Sequence, residues 1–506
     1  MAFLLLPTSN ILTFFQHYSA LSLGLLEIII HVTVVENNEW AKDELGNVSL
    51  GDKRLNNRFL KIAYDLSSKP IEPINKACED WAHTKAAYRF FNNEKISTDK
   101  ILKPHVEQTH KRISNYPFIL ALQDTTSFNY TDHPKTKGLG KIGHGSREKD
   151  AIESKGFYLH QTLAVAPNGQ PLGLLSSLFW KRDEVTDEEN SEEKESERWC
   201  HALVDYQDKN QGKSNILTVA DRECDFNQFL FNNYNLDTHF LIRSKVNRII
   251  GESSLRLHQY IETKPIEGSL ELKIPNKKKG GRAKKKLRGR FRSEDGDYFK
   301  EVSLDIQFTK FTAHLSPTGH RNAHPFDYPL TVIRLSEKER ALQEGEELLE
   351  WILITSLEIK TVEEAKLMAK FYSMRWTIET FFKTIKSGCK VEDCRLEEFK
   401  RLKRYIALFS IVAWRILWMT FISRVDPDSE CTGFLSESEW KALFCTIHKS
   451  KKLPSKIPTV KEAVIWIARL GGFLNRKNDG DPGPSAIWTG WQRLADFTLM
   501  WEIATS

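Results

Sequence analysis

Cysteine and methionine are scarce in this chain, and its first segment carries no charge. Seven cysteines are scattered over 506 residues, and only Cys389 and Cys394 stand close together. No two cysteine pairs have the spacing of a zinc module. That pattern excludes a disulfide-stapled scaffold and points to free thiols in a reducing cytoplasm. Met1–Leu26 has no formal charge, so it lacks the basic start of a secretory signal. Asn10, Gln16 and His17 interrupt it as a membrane span. Residues 1–38 therefore read as an extension outside the folded domains, and no membrane partner is expected. The next methionine is Met368, so a later start would need another codon. Long uninterrupted apolar runs are also missing. Leu402–Phe421 comes nearest, and Arg404, Tyr405 and Arg415 break it.

What remains is an ordinary globular composition, 40% hydrophobic and 28% charged. The length allows two to four domains. The net charge of +6 is modest, but its distribution is not. Lys277–Arg292 packs ten Lys and Arg residues with no acid among them. Two readings apply: a basic arm tracking a phosphate backbone, or a solvated loop. The absence of any acid favours the arm and a polyanionic partner.

Taken in order, Trp40 to about Lys103 has helical periodicity. Arg54, Arg58 and Lys61 recur at i, i+4 and i+7 beside an apolar stripe of Leu55, Phe59, Ile62 and Leu66, with Asp52 placed to cap. The basic stripe fits either a solvated face or a helix on DNA phosphates. In Asp80–Asn92, the aromatic set of Trp81, Tyr88, Phe90 and Phe91 reads as core. Phe118–Gln123 is a buried strand with Asp124 at its carboxyl end. Phe157–Val165 and Leu172–Trp180 flank Pro167-Asn168-Gly169 as a hairpin. Lys181–Glu197 is an acidic loop or helix. Asn215–Ala220 is a strand ending at Asp221, a helix starts over Asp225–Leu230, and His239–Arg243 is a further strand. From about 250 to 350 the alternation gives way to short β-like runs, read as an antiparallel insertion. Trp351–Thr355 returns to a buried strand, and Thr361 with Glu364 forms a capping box for the next helix.

Tyr372–Lys386 concentrates the chemistry. Tyr372, Arg375, Glu379 and Lys386 are separated by three, four and seven residues. On one continuous helix they fall within roughly 60° of one another. A phenol, a guanidinium, a carboxylate and an ammonium would then share one stripe. Asp124 and Asp221, brought together at adjacent strand ends, would join Glu379 in a three-acid cluster. Hard oxygen donors of this kind favour Mg²⁺, with Mn²⁺ as the alternative. Two such ions about 3.5–4 Å apart can activate a water or a 3′-hydroxyl for in-line phosphoryl transfer. A lone acid after a strand is more often a cap. The combination with the Tyr/Arg/Glu/Lys series is far more specific.

On these residues the sequence resembles bacterial insertion-sequence transposases of the DDE type, the cut-and-paste Tn-five and IS-four group with the Tyr-Arg-Glu-Lys signature. Gln123–Ser127 looks like the first-acid motif, and Ala220–Asp225 looks like the second. Leu50–Arg54, with Arg58 beyond, resembles the segment that contacts transposon ends, although Lys53 and Leu55 depart from its basic pattern. Ile467–Phe473 is similar to the carboxyl-terminal dimerisation region. The resemblance implies an α/β (α+β) fold: an RNase H-like catalytic core with an antiparallel β insertion, flanked by helical DNA-binding and dimerisation domains. The implied boundaries are 39–105 for end binding, 106–400 for catalysis with the insertion at about 250–350, and 401–506 for dimerisation.

The same resemblance implies that Asp124, Asp221 and Glu379 hold two Mg²⁺ or Mn²⁺ ions, and that Arg375 and Lys386 hold phosphates beside the scissile bond, with Tyr372 on the same backbone. Trp351 would stack on a flipped base, with plain core at the start of its strand as the alternative, and Arg54, Arg58 and Lys61 would bind the DNA ends. The expected partners are double-stranded transposon ends, target DNA and a second copy of the chain, in a nucleoid-associated cytoplasmic setting. An RNase H-like nuclease without strand transfer and a non-catalytic DNA-binding inhibitor remain as alternatives.

Overall fold

A computed structural model describes residues 39–78, 80–143, 154–182, 188–210, 212, 215–250, 255–275, 299–316, 325–338, 348–476 and 479–505. The basic run Lys277–Arg292 and the first 38 residues lie outside the described residues. The chain forms two compact units: Leu217–Arg375, and the remainder up to Ile216 and from Trp376 onward. All seven cysteines are free.

The larger unit opens with helices: α1 (Glu39–Leu45), α2 (Lys53–Ser68), α3 (Ile74–Ala77), α4 (Trp81–Asn92) and α5 (Thr98–Ile113). Asp52 and Asp80 cap α2 and α4 by accepting backbone N–H bonds from Arg54 and His83, both at 2.7 Å. β1 (Phe118–Asn129), β2 (Gly140–Lys141), β3 (Lys155–Val165) and β4 (Pro171–Trp180) follow. β3 pairs antiparallel with β1, β2 and β4. The expected hairpin is thus β3–β4. β1, however, does not stop before Asp124. The polar run Asp124-Thr125-Thr126-Ser127 has turn-like composition, yet it keeps pairing with β3, and Asp124 stands opposite Gln161 in mid-strand. Cross-strand pairing overrides local propensity here. The acidic stretch resolves into α6 (Glu188–Asn210).

β5 (Asn215–Ala220) leads into the smaller unit. It is followed by α7 (Asn227–Asn235), β6 (His239–Arg243), α8 (Leu257–Glu262), β7 (Gly268–Pro275), β8 (Phe299–Leu315), β9 (Phe326–Glu337), β10 (Glu350–Thr355) and α9 (Val362–Ser373). β5 and β6 are parallel, the geometry that requires a crossover such as α7. β6, β10, β9, β8 and β7 then pair successively antiparallel. The insertion is therefore a long antiparallel extension of this sheet. The fold is mixed α/β. The β1–β3–β4 meander and the β5–α7–β6 step are the pieces expected of an RNase H-like core.

The chain re-enters the larger unit with α10 (Trp376–Lys383) and continues through α11 (Phe399–Val425), α12 (Glu437–His448), α13 (Val460–Leu470) and α14 (Pro484–Thr505). α11 is long and apolar enough to cross a membrane by composition, but most of it is buried as the spine of this unit. It packs on α5, β4, α13 and α14. Trp414 of α11 donates its indole N–H to Pro171 O at 3.1 Å. The Arg112 guanidinium lies 4.4 Å from the Trp414 ring centroid and grips both Glu44 carboxylate oxygens at 2.8 and 2.9 Å. His105, fully buried, faces the same carboxylate through Nδ1 and accepts the Leu174 N–H at Nε2, 3.0 Å away. That acceptor role fixes a neutral ring with its proton on Nδ1. One polar node thus ties α1, α5, β4 and α11 together.

Candidate active site

In the smaller unit, Asp221 follows β5 and caps the short 3₁₀ turn Arg222–Cys224, its Oδ1 accepting the Glu223 N–H at 2.8 Å. Burial raises its carboxyl above the usual range, and the Glu223 charge adds to this. The Glu223 N–H, Arg375 and Arg222 oppose the rise. Tyr372 sits on the last turn of α9 and is buried. Burial pushes its phenol up to about 12, with Asp221 and Cys224 assisting and Arg375 and Arg243 opposing. Trp351 on β10 is 3% exposed and meets Tyr372 edge-on, ring centroids 5.0 Å apart. Asp221, Arg375, Tyr372 and Trp351 therefore form one neighbourhood.

Two residues of this neighbourhood were not anticipated. Arg243 ends β6 opposite Leu353 of β10, and its charge acts on Tyr372. Its signal was a cation closing the strand that follows the second acid. Asp225 is buried. Its Oδ2 accepts the N–H groups of Lys245 and Val246 at 2.6 and 2.8 Å, and its other oxygen pairs with Arg248. This carboxylate fixes the loop that leaves β6, a role hidden by reading it as a helix start.

In the larger unit, Asp124 is half-buried on β1, with its Oδ1 accepting the Thr125 N–H at 2.7 Å. Thr125 Oγ1 meets His160 Nδ1 at 2.9 Å and accepts from Arg198 Nε at 3.0 Å. Burial and the charge of Arg198 hold His160 well below its usual range, so it is neutral. Glu379 is exposed on α10, which packs against β1. Lys386 is half-buried with its ammonium 5.5 Å from the Phe128 ring centroid of β1. Burial lowers its pKa, and Glu392 counters this.

The stretch Tyr372–Lys386 is not one regular helix. Met374 and Arg375 form a turn between α9 and α10, with the Arg375 N–H bonded back to Tyr372 O at 3.1 Å. Thr384–Gly388 is then a π turn, closed by a Cys389 N–H to Thr384 O bond of 2.8 Å. A Cβ on Gly388 would come within 2.7 Å of the Trp488 ring, so glycine permits α14 to pack there. The break falls where the chain passes between units. Tyr372 and Arg375 belong with Asp221, while Glu379 and Lys386 belong with Asp124. Among the described residues, no three His, Cys, Asp or Glu side chains form a metal-holding group. The donor chemistry of Asp124, Asp221 and Glu379 nevertheless suits a hard divalent cation, since all three offer carboxylate oxygens.

On α2, Arg54 and Arg58 are exposed, whereas Lys61 pairs with the buried Asp65 at 3.0 Å. Phe59, Ile62 and Leu66 are buried as expected, and Leu55 is half-exposed. On α4, Phe90 and Phe91 are core, but Trp81 is 74% and Tyr88 42% exposed. Those two rings lie seven residues apart on one exposed side of the helix, which corrects their assignment to the core.

The family model described as transposase DNA-binding matches residues 37–96. The transposase DDE domain matches 196–414, and the transposase Tn5 dimerisation domain matches 411–505. The chain thus carries a match to a transposase DNA-binding domain, a transposase DDE domain and a transposase Tn5 dimerisation domain. The transposase DNA-binding match contains α2 and α4. The DDE match contains Asp221, Trp351 and the whole Tyr372–Lys386 stretch, and Asp124 lies between the first two matches. The Tn5 match covers α12–α14 and most of α11, whose last partner, α14, ends in exposed Phe497, Met500 and Ile503. Ile467 and Ala468, by contrast, are buried against their own unit.

Proposed function

We propose that this chain is a transposase that binds the inverted terminal ends of an insertion sequence as a dimer, cleaves them through a hairpin, and joins the freed 3′ ends to target DNA. The supporting observation is the grouping of Asp221, Arg375 and Tyr372: a strand-end carboxylate with a guanidinium and a protonated phenol beside it. Asp124, Asp221 and Glu379 would hold two Mg²⁺ or Mn²⁺ ions. Such ions, when bound, activate the attacking water or 3′-hydroxyl and offset charge on the leaving oxygen. Arg375 and Lys386 donate to phosphate oxygens beside the scissile bond. A guanidinium offers a fork to two oxygens, and a partly desolvated ammonium interacts more strongly than one in bulk water. Tyr372 keeps its proton through neutral pH and donates a hydrogen bond to the same backbone. Trp351, which backs Tyr372, is the aromatic assigned to the flipped base. Arg54 and Arg58 are the exposed end-binding cations, with Lys61 closing the row. The boundaries 39–105, 106–400 and 401–506 serve as working limits for end binding, catalysis and dimerisation, and the protein works in the cytoplasm at the nucleoid.

Incubating the chain with Mg²⁺ and duplexes bearing the inverted repeats that flank its own gene tests this reading. Joined products are expected. Nicks without joining would replace the transposase by a nuclease, and binding without cleavage would leave an inhibitor. The exposed end of α14 is the surface assigned to the second copy. A Met500→Asp/Ile503→Asp double variant should therefore sediment as a monomer on end DNA where the wild type is a dimer. A dimeric double variant would remove α14 from the interface.

A further inference from the structure

A polar cavity of about 400 Å³ lies between the α4–α5 link and the first turn of α11, lined by Glu94, Ser97, Thr98, Lys400, Lys403 and Arg404 among others. Three cations meet there. Arg404 is 7% exposed and forms the wall: its guanidinium bonds the carbonyl oxygens of Ile96 and Phe91, at 2.5 and 2.9 Å. Those partners are neutral carbonyls, and the charges of Glu94 and Glu398 act on it from nearby. Lys403 makes no ion pair among the described residues, and its ammonium sits 5.0 Å from the Phe399 ring centroid. Burial, then the neighbouring charge of Arg404, lowers its pKa, with Asp99 opposing. Lys400 reaches Glu94 only at 3.9 Å, and those side chains are 70% and 83% exposed. A pair so open to solvent contributes little and is readily exchanged. Thr98 begins the 16-residue helix α5, whose positive end adds to the field. The nearby acids are Glu94, Asp99 and Glu398, against the four cations Lys400, Arg401, Lys403 and Arg404.

We propose that this cavity seats a phosphate group, supplied by the backbone of DNA already lying on residues 37–96. The ligand chemistry follows from the cations. The source follows from the walls: Glu94 and Ile96 close the DNA-binding match, while Lys400, Lys403 and Arg404 belong to the DDE match. A phosphate held between them bridges the end-binding segment and the catalytic segment. The proposal rests on the DNA-binding reading, and its role is to position DNA rather than to react with it.

The test is fluorescence anisotropy of the full chain on a duplex bearing the flanking inverted repeat, across a KCl series. Each phosphate contact contributes about 0.9 to the slope of log K against log[KCl]. A Lys400→Ala/Lys403→Ala variant should lose about one unit of slope and roughly tenfold in affinity at low salt, with an unchanged melting temperature. Lys449→Ala, at the C-cap of α12 and outside the cavity lining, should change neither. Calorimetry with inorganic phosphate forms the second arm. If the double variant abolishes inorganic phosphate binding but keeps the wild-type slope on DNA, the seat belongs to free phosphate and the DNA assignment is overturned. A wild type that binds duplex and a double variant with the same slope and no phosphate binding in either overturns the cavity altogether. A wild type that binds no duplex overturns the DNA-binding reading, and this proposal with it.

Discussion

Glu379→Gln should abolish strand cleavage, a loss of ~10⁴-fold or more on the scale of other indispensable catalytic groups, while end binding and folding stay intact. The expectation of intact folding comes from exposure. Glu379 is exposed on α10, and surface substitutions of this kind move stability by about 0.5 kcal/mol or less. Gel shift with end DNA, melting temperature and a denaturing gel for nicks give the three readings. Cleavage at the wild-type rate would remove Glu379 from the site.

The opposite pattern is expected at Glu44. Glu44→Ala removes the only carboxylate on Arg112 among the described residues, leaving it Leu172 O and Thr109 Oγ1, and strips the acceptor from the Nδ1–H of buried His105. Removing one member of a buried ionic cluster costs about 3–5 kcal/mol. The lower end is expected here, because the Arg112 side chain is 28% exposed. The same node makes the wild type acid-sensitive. Burial alone would raise the Glu44 carboxyl, but Arg112 and His105 together outweigh it and bring it down to about 2. A depressed carboxylate contributes stability that is complete above its unfolded value, about 4.3, and is lost as pH falls through its folded value. His105 acts in the same sense from higher pH. Burial, followed by the charge of Arg112, lowers its pKa against the pull of Glu44. The unfolded ring therefore takes up its proton first, near pH 6.5, and stability starts to fall there. Urea midpoints should decline from about pH 6.5 towards pH 2 in the wild type, and less steeply in Glu44→Ala. Parallel declines would separate the node from the acid response.

Much of this architecture was legible in residue pattern. β6 spans His239–Arg243 as read, and the Thr361 capping box is present as read. The misreadings share one cause, which is that partners distant in sequence decided the outcome. Asp124-Thr125-Thr126-Ser127 has the composition of a turn, and only pairing with β3 keeps it in a strand. Nothing between Tyr372 and Trp376 is glycine or proline, so no local signal marks the break after α9. Gly388, at the end of the π turn, leaves the seat for Trp488, a partner a hundred residues on. Trp81 and Tyr88 were assigned to the core because they are aromatic, yet helical phase puts Phe90 and Phe91 inside and those two rings out. The acids were legible as motifs. Their neighbours Arg243, Asp225 and His160 became evident only once the strands were paired.

The central claim is that Asp124, Asp221 and Glu379 hold metal as one set. Calorimetric Mn²⁺ titration of the wild type beside Asp124→Asn, Asp221→Asn and Glu379→Gln, each bound to end DNA, measures it without relying on catalysis. A shared site predicts that every one of the three substitutions lowers Mn²⁺ affinity or stoichiometry. Any one that leaves the isotherm unchanged contradicts the three-acid set.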